Sequence, residues 1–197
     1  MKHESKNPGG RPKSFDRETV LDAAVRVFWE KGYEGASLDD LTKAMGINRP
    51  SLYATFGNKH GLFLEALDRY TAVQGSAQAA PLREVSDVRQ AIVEYYREII
   101  RTVCSVDGPC GCLIASVATE VAERDPGVKQ KISTNLKRSQ DVLDRRLQDS
   151  GGHHGHLSGA VILSAGMSLA QRARLGASKP ELSAIADGYI DLFFPAP

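Results

Sequence analysis

Apolar residues recur every three or four positions along most of the chain, a spacing that predicts amphipathic helices. The pattern is clearest in residues 37–63, where Ser37 and Asp40 form a capping-box-like start. Gly46 is expected to end this first helix, because glycine accepts the left-handed conformation that a helix C-terminus often needs. The apolar residues on its inner face are Leu38, Leu41 and Met45.

A second short helix is predicted directly after this glycine turn. Asn48 can cap it, Pro50 is harmless in its first turn, and Leu52 and Phe56 face inward. A short exposed helix with a charged N-terminus after a glycine turn is the kind of element that a DNA major groove accepts. The outward residues are Arg49, Pro50, Ser51, Tyr53 and Thr55.

The rest of the chain also has helical patterning, and no segment has a convincing strand pattern. Further helices are expected at 16–32, 58–75, 85–106, 112–123, 127–149, 157–175 and 180–194. The expected fold is therefore all-α, with about nine helices. A composition break at 75–84 divides the chain. The predicted parts are a flexible basic arm (1–15), a helix-turn-helix DNA-binding domain including the linking fourth helix (16–75), and an effector-binding and dimerisation domain (76–197).

Residues 37–63 resemble the DNA-binding core of the tetracycline-repressor (TetR/AcrR) family of bacterial transcription regulators. The matching residues are Gly46-Ile47, Ser51-Leu52-Tyr53, Phe56, Asn58-Lys59 and Leu62-Phe63, with Phe28–Tyr33 in the preceding helix. The resemblance implies an N-terminal three-helix DNA-binding domain and a larger helical domain for ligand binding and dimerisation. It further implies a homodimeric repressor that a small-molecule effector releases from a palindromic operator.

The net charge of +1 is uninformative as a total, but the N-terminal tail has a local positive excess. A Gly-Arg-Pro segment in that tail can lay Arg11 into a narrow minor groove, and a merely solvated tail is the open alternative. No apolar run reaches about 18 residues and no signal-peptide pattern is present, so a cytoplasmic protein without a membrane partner is expected.

Arg49 is the residue expected to read a base, since its guanidinium can bond O6 and N7 of guanine, a contact worth about 1–3 kcal/mol of discrimination. Ser51 and Thr55 are expected to make secondary base or phosphate contacts, and Pro50 can rest on a thymine methyl group. The resemblance implies that four further residues position the DNA backbone: Ser37, Thr42, Tyr53 and Lys59. For Tyr53, packing between helices is the alternative, and for Lys59, a solvated lysine.

The last two helices are expected to form the dimer interface, because in the resembled family they pack as a four-helix bundle. Small side chains would permit close approach and larger ones would supply apolar area. The predicted interface residues are Leu157, Ala160, Ser164, Met167, Leu182, Ile185, Tyr189 and Phe193. Packing of these faces within one chain is the alternative.

The apolar faces of the C-terminal domain also give a candidate effector pocket, consisting of Tyr95, Tyr96, Ile99, Cys110, Cys112 and Ile114. The Gly-Cys-Leu segment at Cys112 resembles a branch of the family in which some members sense electrophiles, oxidants or metals through cysteine. A predicted helix N-terminus nearby favours thiolates, whereas buried and unreactive cysteines are the alternative. Cys104 is expected to be buried.

Three histidines lie close together at His153, His154 and His156, but their glycine-rich setting favours a surface loop, and no metal or cofactor is expected. The sequence also bears on two other classes of function. An enzyme is not expected, because phosphate loops, nucleophile elbows and paired catalytic carboxylates are missing. A cysteine redox switch acting on another protein remains open.

Overall fold

The computed structural model describes residues 16–105, 108–151 and 157–195, and within these ranges every regular element is a helix. In chain order they are α1 (Arg17–Gly35), α2 (Leu38–Met45), α3 (Arg49–Phe56), α4 (Lys59–Glu84), α5 (Val88–Val103), α6 (Thr119–Ala122), α7 (Pro126–Asp149), α8 (Gly159–Arg174) and α9 (Lys179–Phe193). One π-helical turn, Ile114–Ala118, leads directly into α6. The all-α fold with about nine helices is confirmed for the described residues.

The local signals around the helix-turn-helix are confirmed. The Ser37 hydroxyl accepts a bond from the Asp40 amide (3.1 Å), and the Asp40 carboxylate accepts one from the Ser37 amide (3.2 Å). Gly46 has φ of 65° in the left-handed region, where glycine is least strained. Asn48 caps α3 by accepting from the Ser51 amide at 2.8 Å. These contacts fix the angle between α2 and α3.

The predicted end of the first helix at Gly32 is only partly right. Gly32 has φ of 75°, outside helical geometry, but helical structure resumes and α1 runs on to Gly35. The kink redirects the last turn of the helix, and Phe28 and Tyr33 on either side of it stack with ring centroids 6.1 Å apart.

The predicted end of α4 at Gly75 is wrong. The helix continues through Gly75 and Pro81 to Glu84. The alanine-rich stretch between these two residues favours helix, and burial of Leu82 against α5 offsets the cost of an internal proline. A single helix therefore runs from just after α3 into the C-terminal part of the chain.

The C-terminal helices differ from expectation mainly around residues 112–123. The predicted buried helix is instead a π-helical turn followed by the one-turn α6, with only Val117 and Ala118 buried among the residues of these two elements. Ser116 and Thr119 bond back to carbonyls four residues earlier, a pattern that loosens regular helix. The bounds of α7, α8 and α9 lie within two residues of those predicted.

Two apolar clusters form the core. The first surrounds α1–α4 and also includes Leu113, Val117, Val128 and Ile132, which come from the predicted C-terminal domain. The second lies among α5, α7, α8 and α9. Half-buried Cys112 packs against both clusters. The division at residue 76 thus remains a prediction, and the two parts share a packed boundary.

Candidate functional site

Helix α3 buries one side and exposes the other. Leu52 and Phe56 are in the core, while Arg49, Pro50 and Tyr53 are exposed. The Tyr53 ring is 46% accessible, so it lies at the surface rather than between helices. Ser51 and Thr55 are half-buried at the edges of the exposed face. All five predicted outward residues of α3 are therefore accessible at least in part.

Arg49 has a partner that the sequence did not suggest. Its Nε and Nη2 atoms both donate to Oδ1 of Asp39, at 3.2 and 2.8 Å. Asp39 lies in the first turn of α2, ten positions earlier, and its side chain is 79% exposed. The capping residues Ser37 and Asp40 drew attention to this turn, but the spacing gave no signal that Asp39 and Arg49 would meet.

Three of the four predicted backbone-positioning residues have partners within the chain. The Ser37 hydroxyl donates to Asp40 (2.7 Å), and the Thr42 hydroxyl donates to the Leu38 carbonyl (2.8 Å). Lys59 lies 4.7 Å from the centre of the Tyr33 ring, and its ammonium donates to the Glu34 carbonyl at 3.4 Å. These contacts restrain the side chains of Ser37, Thr42 and Lys59 within the chain.

Asp40 is the most strongly perturbed carboxylate of this region. A 2.6 Å bond from Lys31 and further hydrogen bonds from Ser37 lower the pKa of Asp40 to about 2. The capping box therefore stays ionised at any physiological pH. Arg11, the predicted minor-groove residue, lies outside the described residues.

A cavity of about 490 Å³ lies between α4, α5 and α7. Leu82, Val142 and Leu143 give it an apolar side, and Asn135 and Arg138 give it a polar one. Its volume falls in the range usual for small-molecule sites. Because α4 lines it from Asp68 to Leu82, this cavity touches the same helix that follows α3.

Of the six residues predicted for the effector pocket, Tyr95 lines this cavity. Burial raises the pKa of Tyr95, so its hydroxyl remains protonated. Tyr96 is in the core and donates to the Ile162 carbonyl at 2.9 Å, and Ile99 packs in the same cluster. Ile114, Cys110 and Cys112 lie elsewhere. The effector pocket therefore stays a prediction, and helical spacing alone could not distinguish core residues from cavity residues.

The three cysteines are free thiols in different surroundings. Cys110 is exposed, whereas the Cys112 sulfur accepts a hydrogen bond from the Tyr70 hydroxyl at 3.3 Å. Cys104 is half-buried rather than buried, and burial raises the pKa of its thiol. Gly111, which lies between Cys110 and Cys112, has φ of 91°, and an added Cβ there would crowd Arg174. The tight turn at Gly111 thus leaves Cys110 exposed and Cys112 packed against the core.

The three histidines at 153, 154 and 156 lie outside the described residues. Within the described ranges, no cluster of histidine, cysteine and carboxylate side chains is suited to a metal ion. In the same part of the chain, no helix is both long and apolar enough to cross a membrane.

The predicted interface residues of α8 and α9 divide into two groups. Leu157, Leu182 and Phe193 are buried inside the chain. The remaining residues, which are at least partly accessible, are Ala160, Ser164, Met167, Ile185 and Tyr189. Sequence reasoning missed the most exposed apolar side chains of this surface, Leu175 (81%) and Leu192 (69%).

Residues 20–66 match the family described as bacterial regulatory proteins, tetR family. The HTH-type transcriptional repressor ComR of Escherichia coli K12 is 40% identical over 144 residues, which are 73% of this chain and 67% of ComR. The uncharacterized HTH-type transcriptional regulator YezE of Bacillus subtilis 168 is 34% identical over 149 residues, covering 74% of this chain and 77% of YezE.

A solved structure of a TetR-family regulator is similar to this protein over nearly the whole chain. It is a cysteine mutant of the TetR-family regulator CifR in complex with 26-bp operator DNA, similar with a TM-score of 0.81 and 32% identity over 91% of this chain and 98% of that one. This protein therefore belongs to the TetR family of DNA-binding transcriptional regulators. Membership in a family of regulators confirms the expectation that it is not an enzyme.

Proposed function

We propose that this protein is a homodimeric repressor that binds a palindromic operator through α3 and leaves it when a small molecule binds. The observation that carries the proposal is the accessible face of α3, with Arg49 at its start, on a helix-turn-helix that is otherwise packed. CifR, which has the same fold at 32% identity, was solved on operator DNA, and ComR is a repressor by name.

In this proposal Arg49 reads a guanine, and the smaller residues of α3 complete the contact with the major groove. Pro50 meets a thymine methyl group, and Ser51 and Thr55 contact bases or phosphates at the edges of the helix. Phosphate contacts that carry affinity rather than sequence information come from Ser37, Thr42, Tyr53 and Lys59. Arg11 would add a minor-groove contact from the N-terminal arm.

A second copy of the chain would cover the outer faces of α8 and α9. Val161 and Ser164 on α8, Leu175 directly after it and Leu192 on α9 are exposed and combine small and apolar side chains. Two recognition helices related by a two-fold axis would read two half-sites, which doubles the contacts of a module that alone reads few base pairs. We expect Leu192→Asp to give monomers in analytical ultracentrifugation and to weaken operator binding.

The cavity between α4, α5 and α7 is the proposed effector site. Its lining suits a molecule with an apolar body, and Arg138 offers a charge for an anionic or strongly polar group. Since α4 contacts both the cavity and the end of α3, a ligand that binds one position of α4 better than another would change the separation of the two recognition helices. Effector binding would then weaken operator binding, and operator binding would weaken effector binding by the same factor.

A cysteine route to the same response is the second candidate. Cys112 packs against both apolar clusters, and its sulfur accepts a hydrogen bond from the Tyr70 hydroxyl. A bulky adduct on this sulfur would therefore disturb the packing between the two clusters. Cys110, two positions away, is exposed and open to an electrophile or oxidant. Under this candidate, modification of Cys110 or Cys112 would release the operator without any ligand in the cavity.

The experiment begins with selection of double-stranded DNA from a randomised pool by the purified protein, followed by mobility shifts at fixed, near-physiological salt. We expect a palindrome to be enriched, with binding lost in Arg49→Ala and retained in Arg97→Ala, an exposed arginine on α5. Failure to enrich any sequence would overturn the proposal.

The two sensing candidates are separated with the same operator. Ala79→Trp fills the cavity and should abolish release by small molecules, while release by hydrogen peroxide or N-ethylmaleimide should persist. Cys110→Ser and Cys112→Ser should do the reverse if cysteine sensing operates. Insensitivity of the wild-type protein to thiol reagents would reject the cysteine candidate.

A further inference from the structure

We propose that Asp39 is a positioning residue that sets the base specificity of Arg49, an inference that rests on the proposed DNA-binding role of α3. The ion pair between the two residues joins α2 to the first residue of the recognition helix. Both side chains are more than half exposed, so the pair lies on the accessible side of the helix-turn-helix.

The geometry of the pair leaves the base-reading edge of Arg49 open. Asp39 Oδ1 accepts from Nε and Nη2, which lie along one side of the planar guanidinium. The end of the group, with hydrogens on Nη1 and Nη2, faces away from that carboxylate. Because guanine O6 and N7 require two donors from one edge, Arg49 can bind Asp39 and a guanine at the same time.

The supports of the pair are rigid, so Asp39 orders the arginine before DNA arrives. Asp39 stands beside the capping box of α2, and Gly46 and Asn48 fix the turn to α3. Buried Leu41 and Leu52 hold the two helices together. A free arginine loses much rotamer freedom when it binds, and this prior ordering reduces that loss for the one orientation that Asp39 supports.

The Asp39 carboxylate also lowers the affinity for non-cognate DNA. On non-cognate sequences Arg49 would have to turn toward a phosphate, which separates it from Asp39 and brings an uncompensated negative charge close to the DNA backbone. On cognate DNA the ion pair is kept. Specificity is a difference between two affinities, and Asp39 increases that difference by weakening the non-cognate state as well as by aligning the cognate one.

The test uses the full-length protein, the palindrome enriched from the randomised pool, and variants of that site at the guanine whose preference depends on Arg49. Asp39→Asn keeps the side-chain shape and removes the charge. Glu30→Gln removes one charge from an exposed position on α1 and is the control for a general electrostatic effect. Thermal unfolding of each variant checks that the fold is intact.

We expect Asp39→Asn to reduce the preference for guanine at that position roughly tenfold and to raise affinity for scrambled DNA. Glu30→Gln should leave the base preference unchanged. In an Arg49→Ala background, the same Asp39 substitution should change the preference by less than about twofold, because its effect passes through the arginine.

Retention of the wild-type guanine preference by Asp39→Asn would overturn the inference while leaving the proposed function intact. An equal loss of preference with and without Arg49 would also overturn it, since Asp39 would then act independently. If Arg49→Ala itself keeps the full sequence preference, both the proposed base contact and this inference fall.

Discussion

Gly61→Ala and Gly75→Ala make the same chemical change in α4, yet we expect effects of opposite sign. An added Cβ at Gly61 would overlap the carbonyl oxygen of Phe56 and lie 3.4 Å from its carbonyl carbon. At Gly75 an added Cβ meets no atom within 4 Å. Both glycines have helical backbone angles, so only the surroundings differ.

The magnitudes follow from two competing effects. Alanine in place of a helical glycine stabilises by about 0.5–1 kcal/mol, and Gly75→Ala should gain this amount in full. Overpacking costs typically about 1–3 kcal/mol, and at Gly61 the obstacle is a backbone atom that cannot rotate away. The net for Gly61→Ala is therefore expected to be about 1–2 kcal/mol destabilising. The clash also pushes on the last residue of the recognition helix.

The assay is urea unfolding followed by far-UV circular dichroism, with protein concentration held fixed because the apparent stability of the proposed dimer would depend on it. In a thermal scan of the same variants, each kcal/mol corresponds to about 2–4 °C in Tm for a chain of this size. Operator binding should weaken in Gly61→Ala and remain in Gly75→Ala. Equal or greater stability of Gly61→Ala relative to wild type would refute the packing argument.

Three further predictions concern capping and ionisation. Asn58→Ala removes the acceptor of the Gly61 amide (2.8 Å) and should cost about 1 kcal/mol in unfolding free energy. Lys31 and Ser37 lower the pKa of Asp40 to about 2. The stability that ionised Asp40 contributes is therefore full at pH values above the ordinary carboxyl pKa and is lost as the pH falls through about 2. Asp40→Asn should remove this contribution and make stability depend less steeply on pH in acid. Burial raises the pKa of the three core tyrosines, so stability should be full below about pH 10 and fall above it, as the unfolded chain releases these protons. They are Tyr70, Tyr95 and Tyr96.

Each of these has a control and a contradicting result. Asn58→Asp keeps an acceptor and should retain stability, so equal losses in Asn58→Ala and Asn58→Asp would reject the capping role. For the acid limb, Asp39→Asn is the comparison, and an identical profile for the two aspartate variants would contradict the prediction. For the alkaline limb, Tyr95→Phe should reduce the decline, and an unchanged slope above pH 10 would contradict it.

The helix-turn-helix could be predicted from the sequence nearly to the residue. Its boundaries are set by contacts between residues three positions apart, such as Ser37 with Asp40 and Asn48 with Ser51. The end of α2 is set by Gly46, whose left-handed conformation requires no contact with a distant residue. Interactions of this range leave a pattern in the sequence that a reader can recognise. The TetR resemblance rested on this segment, and the comparisons confirmed it.

The errors were in segments whose structure depends on distant partners. Alanine, glycine and proline around residues 75–81 indicated a break, but α4 passes through because it packs on α5. The helical spacing of apolar residues on α5 could not distinguish core from cavity, so Tyr95 and Tyr96 received the same role, although of the two Tyr95 lines the cavity. Helical periodicity identifies the buried face of a helix, but it does not show which residues of that face contact other side chains and which line a cavity.

The sequence by itself determined the class of fold, the recognition helix and its outward residues, because these follow from local spacing. Tertiary structure alone decided which distant side chains meet. Asp39 meets Arg49 across ten positions, and Tyr70 meets Cys112 across forty-two. Such pairs depend on how helices pack against one another, and packing is set by the whole core rather than by any short stretch of the chain.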